Sequence, residues 1–103
     1  MSAGLGYNSP MEILQTLVAV IADRRLHPQD GSYTCYLQNK GIDKILKKVA
    51  EEAGEVIIAA KNTEPHRLEE ELADLIFHLL VLMEEKKVKL SDIEAVLTAR
   101  HQG

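Results

Sequence analysis

The sequence predicts an all-α protein, a bundle of about four helices around a central antiparallel pair, completed by a second copy of the chain. Three observations predict it. Apolar residues recur at helical spacing along most of the chain, nowhere does the two-residue alternation of a half-buried strand persist, and capping signatures or Pro and Gly breakers separate the periodic stretches. With 103 residues the chain has room for one domain with a real core. It reads as a flexible leader over residues 1–8 and a single all-α domain over 9–103.

Ser9-Pro10-Met11-Glu12 combines a capping-box Ser and Glu with Pro at the first helical position. Met11, Ile13, Leu14, Leu17, Val18, Ile21 and Ala22 follow at helical spacing, so a first helix is expected from about Pro10 to Arg25. Leu26 to Gly31 carries the breakers Pro28 and Gly31, and the stretch from Ser32 to Leu37 is open between loop and short helix. From Gly41 to Asn62, Ile42, Ile45, Leu46, Val49, Ala53, Val56, Ile57 and Ala60 share one side of a helical projection. Asn62 to Pro65 stops that helix and starts another, which should reach about Lys86, and so short a connection makes the two antiparallel. Between Leu72 and Met83 this helix is apolar nearly all round, more than so small a chain can cover alone, hence the expected homodimer or higher oligomer. Ser91-Asp92-Ile93-Glu94 repeats the capping box and opens a last, short helix.

Composition narrows the function classes. A net charge of -4 argues against a general nucleic-acid binder, so any phosphate binding must come from a local basic patch. The longest apolar run, Leu75 to Met83, is far short of the roughly 20 residues a membrane span needs. Cys35 is the single cysteine, without a zinc-like Cys/His cluster or a His pattern for nucleophilic chemistry, and reads as structural. No secretory signal is legible at the N-terminus, and a reducing, cytoplasmic setting is expected.

The chemistry-bearing residues are acidic. Glu52 and Glu55, then Glu71 and Asp74, form two pairs spaced i, i+3 on the two central helices, which puts each pair on one helix face. Antiparallel packing brings Glu55 and Glu71 to about the same level. Carboxylates near a helix start are favoured by the dipole, but Asp74 lies well inside its helix and lacks that explanation. Four converging carboxylates become favourable around a hard divalent cation such as Mg²⁺, which points to a metal-dependent enzyme acting on phosphates. At about 100° per residue, Lys40, Lys44, Lys47, Lys48, Glu51, Glu55 and Asn62 fall opposite the apolar stripe, basic at one end and acidic at the other, a division suited to a nucleotide triphosphate. The competing reading makes these lysines solvated charges, with Lys48 and Glu52 a simple helix pair. His78, one turn after Asp74, either touches substrate, orients a carboxylate or is a hydrogen-bonded structural histidine. Tyr33 and Thr34 either contact a nucleotide or pack on a neighbouring helix.

Ser32-Tyr33-Thr34, Lys40-Gly41, Lys44 to Val49, Glu51-Glu52-Ala53-Gly54-Glu55-Val56, Ala59-Ala60-Lys61-Asn62 and Glu71-Leu72-Ala73-Asp74-Leu75 with His78 together resemble the phosphoribosyl-ATP pyrophosphohydrolase family of histidine biosynthesis. The resemblance covers Ser9 to Arg100. Its acidic part is shared with the wider all-α nucleoside triphosphate pyrophosphohydrolases, including MazG-like proteins and dimeric dUTPases, and the Ser-Tyr-Thr, Lys-Gly and Ala-Ala-Lys-Asn stretches narrow it. Ala50 and Gly54 stand where the family pattern has Gly and Thr; neither change removes a ligand. The resemblance implies hydrolysis of phosphoribosyl-ATP to phosphoribosyl-AMP and pyrophosphate, by a stand-alone chain without a cyclohydrolase-like domain. It also implies Mg²⁺ bound by Glu52, Glu55, Glu71 and Asp74, and Glu51 as candidate general base. Lys40, Lys44, Lys48 and Lys61 become candidates to neutralise the phosphates, with Tyr33, Thr34, Asn62 and His78 as further candidate substrate contacts. Two alternatives stay open: a house-cleaning pyrophosphohydrolase of non-standard nucleotides, and a helical dimerisation module with a merely solvated acidic face.

Overall fold

The structure, a computed structural model, describes residues 12–62 and 65–101. The expected leader and the Ser9-Pro10 capping box lie outside the described residues. Five helices follow in order: α1 (Glu12–Leu26), α2 (Tyr33–Lys40), α3 (Ile42–Ala60), α4 (Pro65–Glu85) and α5 (Leu90–His101), with no strand among the described residues. The all-α expectation holds, and the stretch open between loop and short helix is a helix, α2. Its N-cap is Ser32, whose side-chain oxygen accepts the Cys35 N–H at 3.1 Å, and it stops at Gly41, where a φ of 90° requires a residue without Cβ. A helix of this length is too short for apolar periodicity to reveal.

α3 and α4 make the most extensive helix contact, and α1 and α2 lie against them. The buried centre is Ile21 of α1, Leu37 of α2, Ile45 of α3, and Leu80 and Val81 of α4, so four helices each contribute to one core. Cys35 is buried on the inner side of α2, with its sulfur 3.7 Å from the Arg24 carbonyl, in the structural role expected of it. On the polar side of the same junction, Arg25 of α1 donates to both carboxylate oxygens of Glu84 and, at 2.6 Å, to Glu85, while Gln38 of α2 donates to the Ile21 carbonyl at 3.0 Å.

One helix end meets expectation and another departs from it. α4 closes at Glu85 with Lys87 left-handed at φ 60° and Val88 N–H returning to the Met83 carbonyl at 2.8 Å, a Schellman closure built on lysine. α5 begins at Leu90, where Asp92 accepts the Lys89 N–H at 2.8 Å, half of a capping box placed two residues upstream of the expected Ser91 and Glu94. The helix is also longer than expected. Beyond Leu90 every described α5 residue is exposed, including Ile93, Val96 and Leu97.

Candidate functional site

The α3–α4 hairpin brings acidic residues face to face. Carboxylate oxygens of Glu52 on α3 and of Glu71 and Asp74 on α4 all lie within 4.8 Å of one another, Glu52 and Glu71 half-buried and Asp74 exposed. Around an octahedral cation with ligand distances of about 2.1 Å, neighbouring oxygens lie about 3.0 Å apart and opposite ones about 4.2 Å, so the three must draw somewhat closer to share one ion. All-oxygen, all-anionic donors fit a hard divalent cation. Glu55 lies outside this group of three but close enough to act on it. Burial, and then the charge of Glu55, push the Glu71 carboxyl above its usual range; Asp74 and Glu52 add to this, and Arg67, 4.0 Å away, opposes it.

Lysine flanks the acids on α3. Lys48 Nζ stands 3.3 Å from Glu51 and 3.6 Å from Glu52, and the Glu51 carboxylate holds its ammonium above the ordinary range. The helix pair expected between Lys48 and Glu52 is therefore present, shared with Glu51. Lys61 and Asn62 lie exposed just past the end of α3, at the hairpin turn, whereas Lys44 and Lys40 lie toward the other end. Thr34 is half-buried in the first turn of α2.

His78 is buried directly behind Asp74. Its Nδ1 is 2.7 Å from the Asp74 carbonyl, which can only accept, so Nδ1 carries the proton. In the neutral ring Nε2 then accepts the Tyr33 hydroxyl proton across 2.8 Å. The histidine is thus hydrogen-bonded through both ring nitrogens and ties α2 to α4 next to the acidic cluster. Tyr33 packs against Phe77 at 6.2 Å between ring centroids, and burial raises its hydroxyl pKa while the nearby Lys48 opposes the rise.

One residue passed over in the sequence stands out. Tyr36 stacks on Tyr33 with centroids 6.0 Å apart, and the ammonium groups of Lys40 and Lys44 approach its ring centroid at 5.8 and 5.9 Å. The legible signal was the spacing of four residues from Tyr36 to Lys40 on one short helix, which could not be used until that segment was known to be helical.

An all-α fold that gathers carboxylates from two antiparallel helices, with lysines nearby, fits the all-α nucleoside triphosphate pyrophosphohydrolases whose acidic pattern the sequence resembles. Residues 14–101 match the model of the phosphoribosyl-ATP pyrophosphohydrolase family, and the chain belongs to that family. Among curated relatives, the phosphoribosyl-ATP pyrophosphatase of Clostridium botulinum is 52% identical over 90 residues, covering 87% of this chain and 82% of the relative. That of Streptococcus gordonii is 51% identical and covers 85% of each. The histidine biosynthesis bifunctional protein HisIE of Thermoanaerobacter pseudethanolicus is 60% identical over 80% of this chain. This chain spans 38% of the length of that bifunctional relative. No helix among the described residues is long and apolar enough to cross a membrane.

Proposed function

We propose that the chain hydrolyses phosphoribosyl-ATP to phosphoribosyl-AMP and pyrophosphate, with Mg²⁺, as a step of histidine biosynthesis. The observation that carries this reading is the convergence of Glu52, Glu71 and Asp74 from α3 and α4 in a chain of this family. These three, with Glu55 alongside, hold the cation. When bound, it supplies neutralisation of phosphate oxygens and acidification of a nucleophilic water. Three clustered carboxylates, one already pushed toward its protonated form, are otherwise costly, and a doubly positive ion offsets that cost.

The remaining roles follow from position along α3. Lys48 is placed to leave its carboxylate partners for the phosphate chain as charge builds on the departing pyrophosphate. Glu51, released from Lys48 by the same exchange, is the candidate to accept the proton of the water. Lys61 lies about 9 Å along the helix from Glu55, within reach of the outer phosphates, with Asn62 beside it. Tyr33 and His78 act behind the ligands, holding the backbone at Asp74, rather than on substrate.

The functional unit in this reading is a homodimer. Ile57 and Ile58 on α3 and Leu72, Ile76 and Leu79 on α4 remain exposed, a larger apolar surface than solvent favours. The buried free thiol of Cys35 suits the reducing cytoplasm that the pathway implies.

The direct test measures pyrophosphate release from phosphoribosyl-ATP, and from a panel of free nucleotides, with and without Mg²⁺. Turnover of phosphoribosyl-ATP that needs Mg²⁺ and exceeds that of free nucleotides by orders of magnitude is expected. Comparable turnover of free nucleotides would move the chain to house-cleaning, and no turnover of any substrate would leave the acidic cluster without a reaction.

A further inference from the structure

The activity proposed above distinguishes its substrate from ATP by one feature, a second sugar phosphate on the purine. A site for that arm must bind an anion at a distance from the acidic cluster, on a protein whose net charge of -4 repels anions elsewhere. The Tyr36 end of α2 meets this requirement. Lys40 and Lys44 bring two ammonium groups to the same tyrosine ring, and among the described residues neither forms an ion pair with a carboxylate. Lys48, one turn further along α3, has two carboxylate partners. Two ammonium groups that each approach one ring and have no carboxylate partner are available to an anion bound beside that ring, since the ring contributes only weakly to holding each.

The same ring stands open to a ligand. Tyr36 is 42% exposed, and its hydroxyl makes no hydrogen bond among the described residues. Its ring borders an open groove of about 540 Å³ lined also by Asp30, Ser32, Tyr33 and Asn39, with Lys40 and Lys44 at the ring itself rather than among the lining residues. Tyr33 joins the groove to the acidic cluster, lining the one while its hydroxyl reaches His78 behind Asp74. From Lys44 to Glu52 the helix advances about 12 Å, room for a purine with a sugar on either side between an anion at one end and a cation at the other.

Resting on the phosphoribosyl-ATP reading, we propose that Tyr36, Lys40 and Lys44 form the subsite for the phosphoribosyl arm, the lysines taking its monophosphate and the exposed tyrosine ring lying under its sugar or the purine. The substrate then has one direction on the protein. Its pyrophosphate end lies toward Lys61 and the hairpin turn, and its phosphoribosyl end toward the start of α3.

The test compares the wild-type chain with Lys40→Ala/Lys44→Ala and with Tyr36→Leu, each checked for unchanged melting. Two ratios are read: kcat/KM for phosphoribosyl-ATP over ATP, and, independently of turnover, calorimetric affinity for phosphoribosyl-AMP over AMP. Loss of charge-assisted contacts to one phosphate should lower both ratios about tenfold or more in the double-lysine variant. A smaller fall in the same direction is expected for Tyr36→Leu. Equal losses toward both members of each pair would overturn the subsite, because the lysines would then serve the part the ligands share; unchanged ratios would overturn it outright. A wild-type chain that prefers phosphoribosyl-AMP to AMP yet turns over no phosphoribosyl-ATP would remove the activity while leaving the binding comparison decisive for the subsite. Indifference of the wild type to the arm in both measurements would remove the subsite together with its premise.

Discussion

Asp74 is the carboxylate for which, at the scale of one residue, helix position offers no structural explanation. It lies well inside α4, past the turn where the helix dipole favours an anion, exposed and beside two other carboxylates from α3 and α4. Asp74→Asn should leave helical content intact and nearly abolish Mg²⁺-dependent pyrophosphate release. It should also shrink the rise in melting temperature that saturating Mg²⁺ produces, since only binding to the folded state stabilises it. Wild-type turnover by this variant at saturating Mg²⁺ would remove Asp74 from the site. Behind it, Tyr33→Phe deletes a single hydroxyl and leaves the buried His78 Nε2 without its donor. Urea denaturation should register a loss of about 1–3 kcal/mol, and an unchanged midpoint would mean that another donor reaches the ring.

Among the elements, α1, α2 and α4 are tied at one junction by the Arg25 guanidinium, its carboxylate partners and Gln38. The Arg25 hydrogen bonds hold the Glu84 carboxyl below its ordinary range. A depressed folded-state pKa means that the stabilisation is present in full above the unfolded value near 4.5 and is lost as pH falls through the lower folded value. Glu84→Gln should therefore cost about 1–2 kcal/mol at neutral pH, allowing for a partly exposed guanidinium. In urea titrations across pH the gap from wild type should narrow below 4.5; a gap independent of pH would assign the cost to packing. Nothing in the spacing of Arg25 and Glu84 announces their pairing, because they are 59 residues apart and only the docking of α1 on α4 makes them neighbours.

Taken whole, the single chain leaves apolar surface on several helices, with Ile57 66% and Leu97 60% exposed. A specific interface buries about 1,200–2,000 Å² in total, and the exposed faces of α3 and α4 supply apolar side chains for one. Sedimentation equilibrium should give a species of at least twice the 11.5 kDa chain mass. Ile76→Lys, which places a charge among those side chains, should shift it toward monomer. A wild-type monomer at micromolar concentration would refute the dimer and require another cover for Ile57 and Ile76.

The helices α1, α3 and α4 and the antiparallel central pair were legible in the chain because each is long enough for apolar periodicity to average over several turns. The two acidic pairs were legible for the same reason, since a spacing of three residues means one face once a helix is certain. α2, the register of the α5 cap and the neighbours of Tyr36 were not. Each depends on local geometry too short for a period or on residues from separate elements. Convergence of Glu52 with Glu71 and Asp74, the wiring of His78 to Tyr33 and the gathering of Lys40 and Lys44 at one ring came from packing. Periodicity specifies which face of a helix is buried, whereas the rotation and depth at which two faces meet are set by how their side chains interlock.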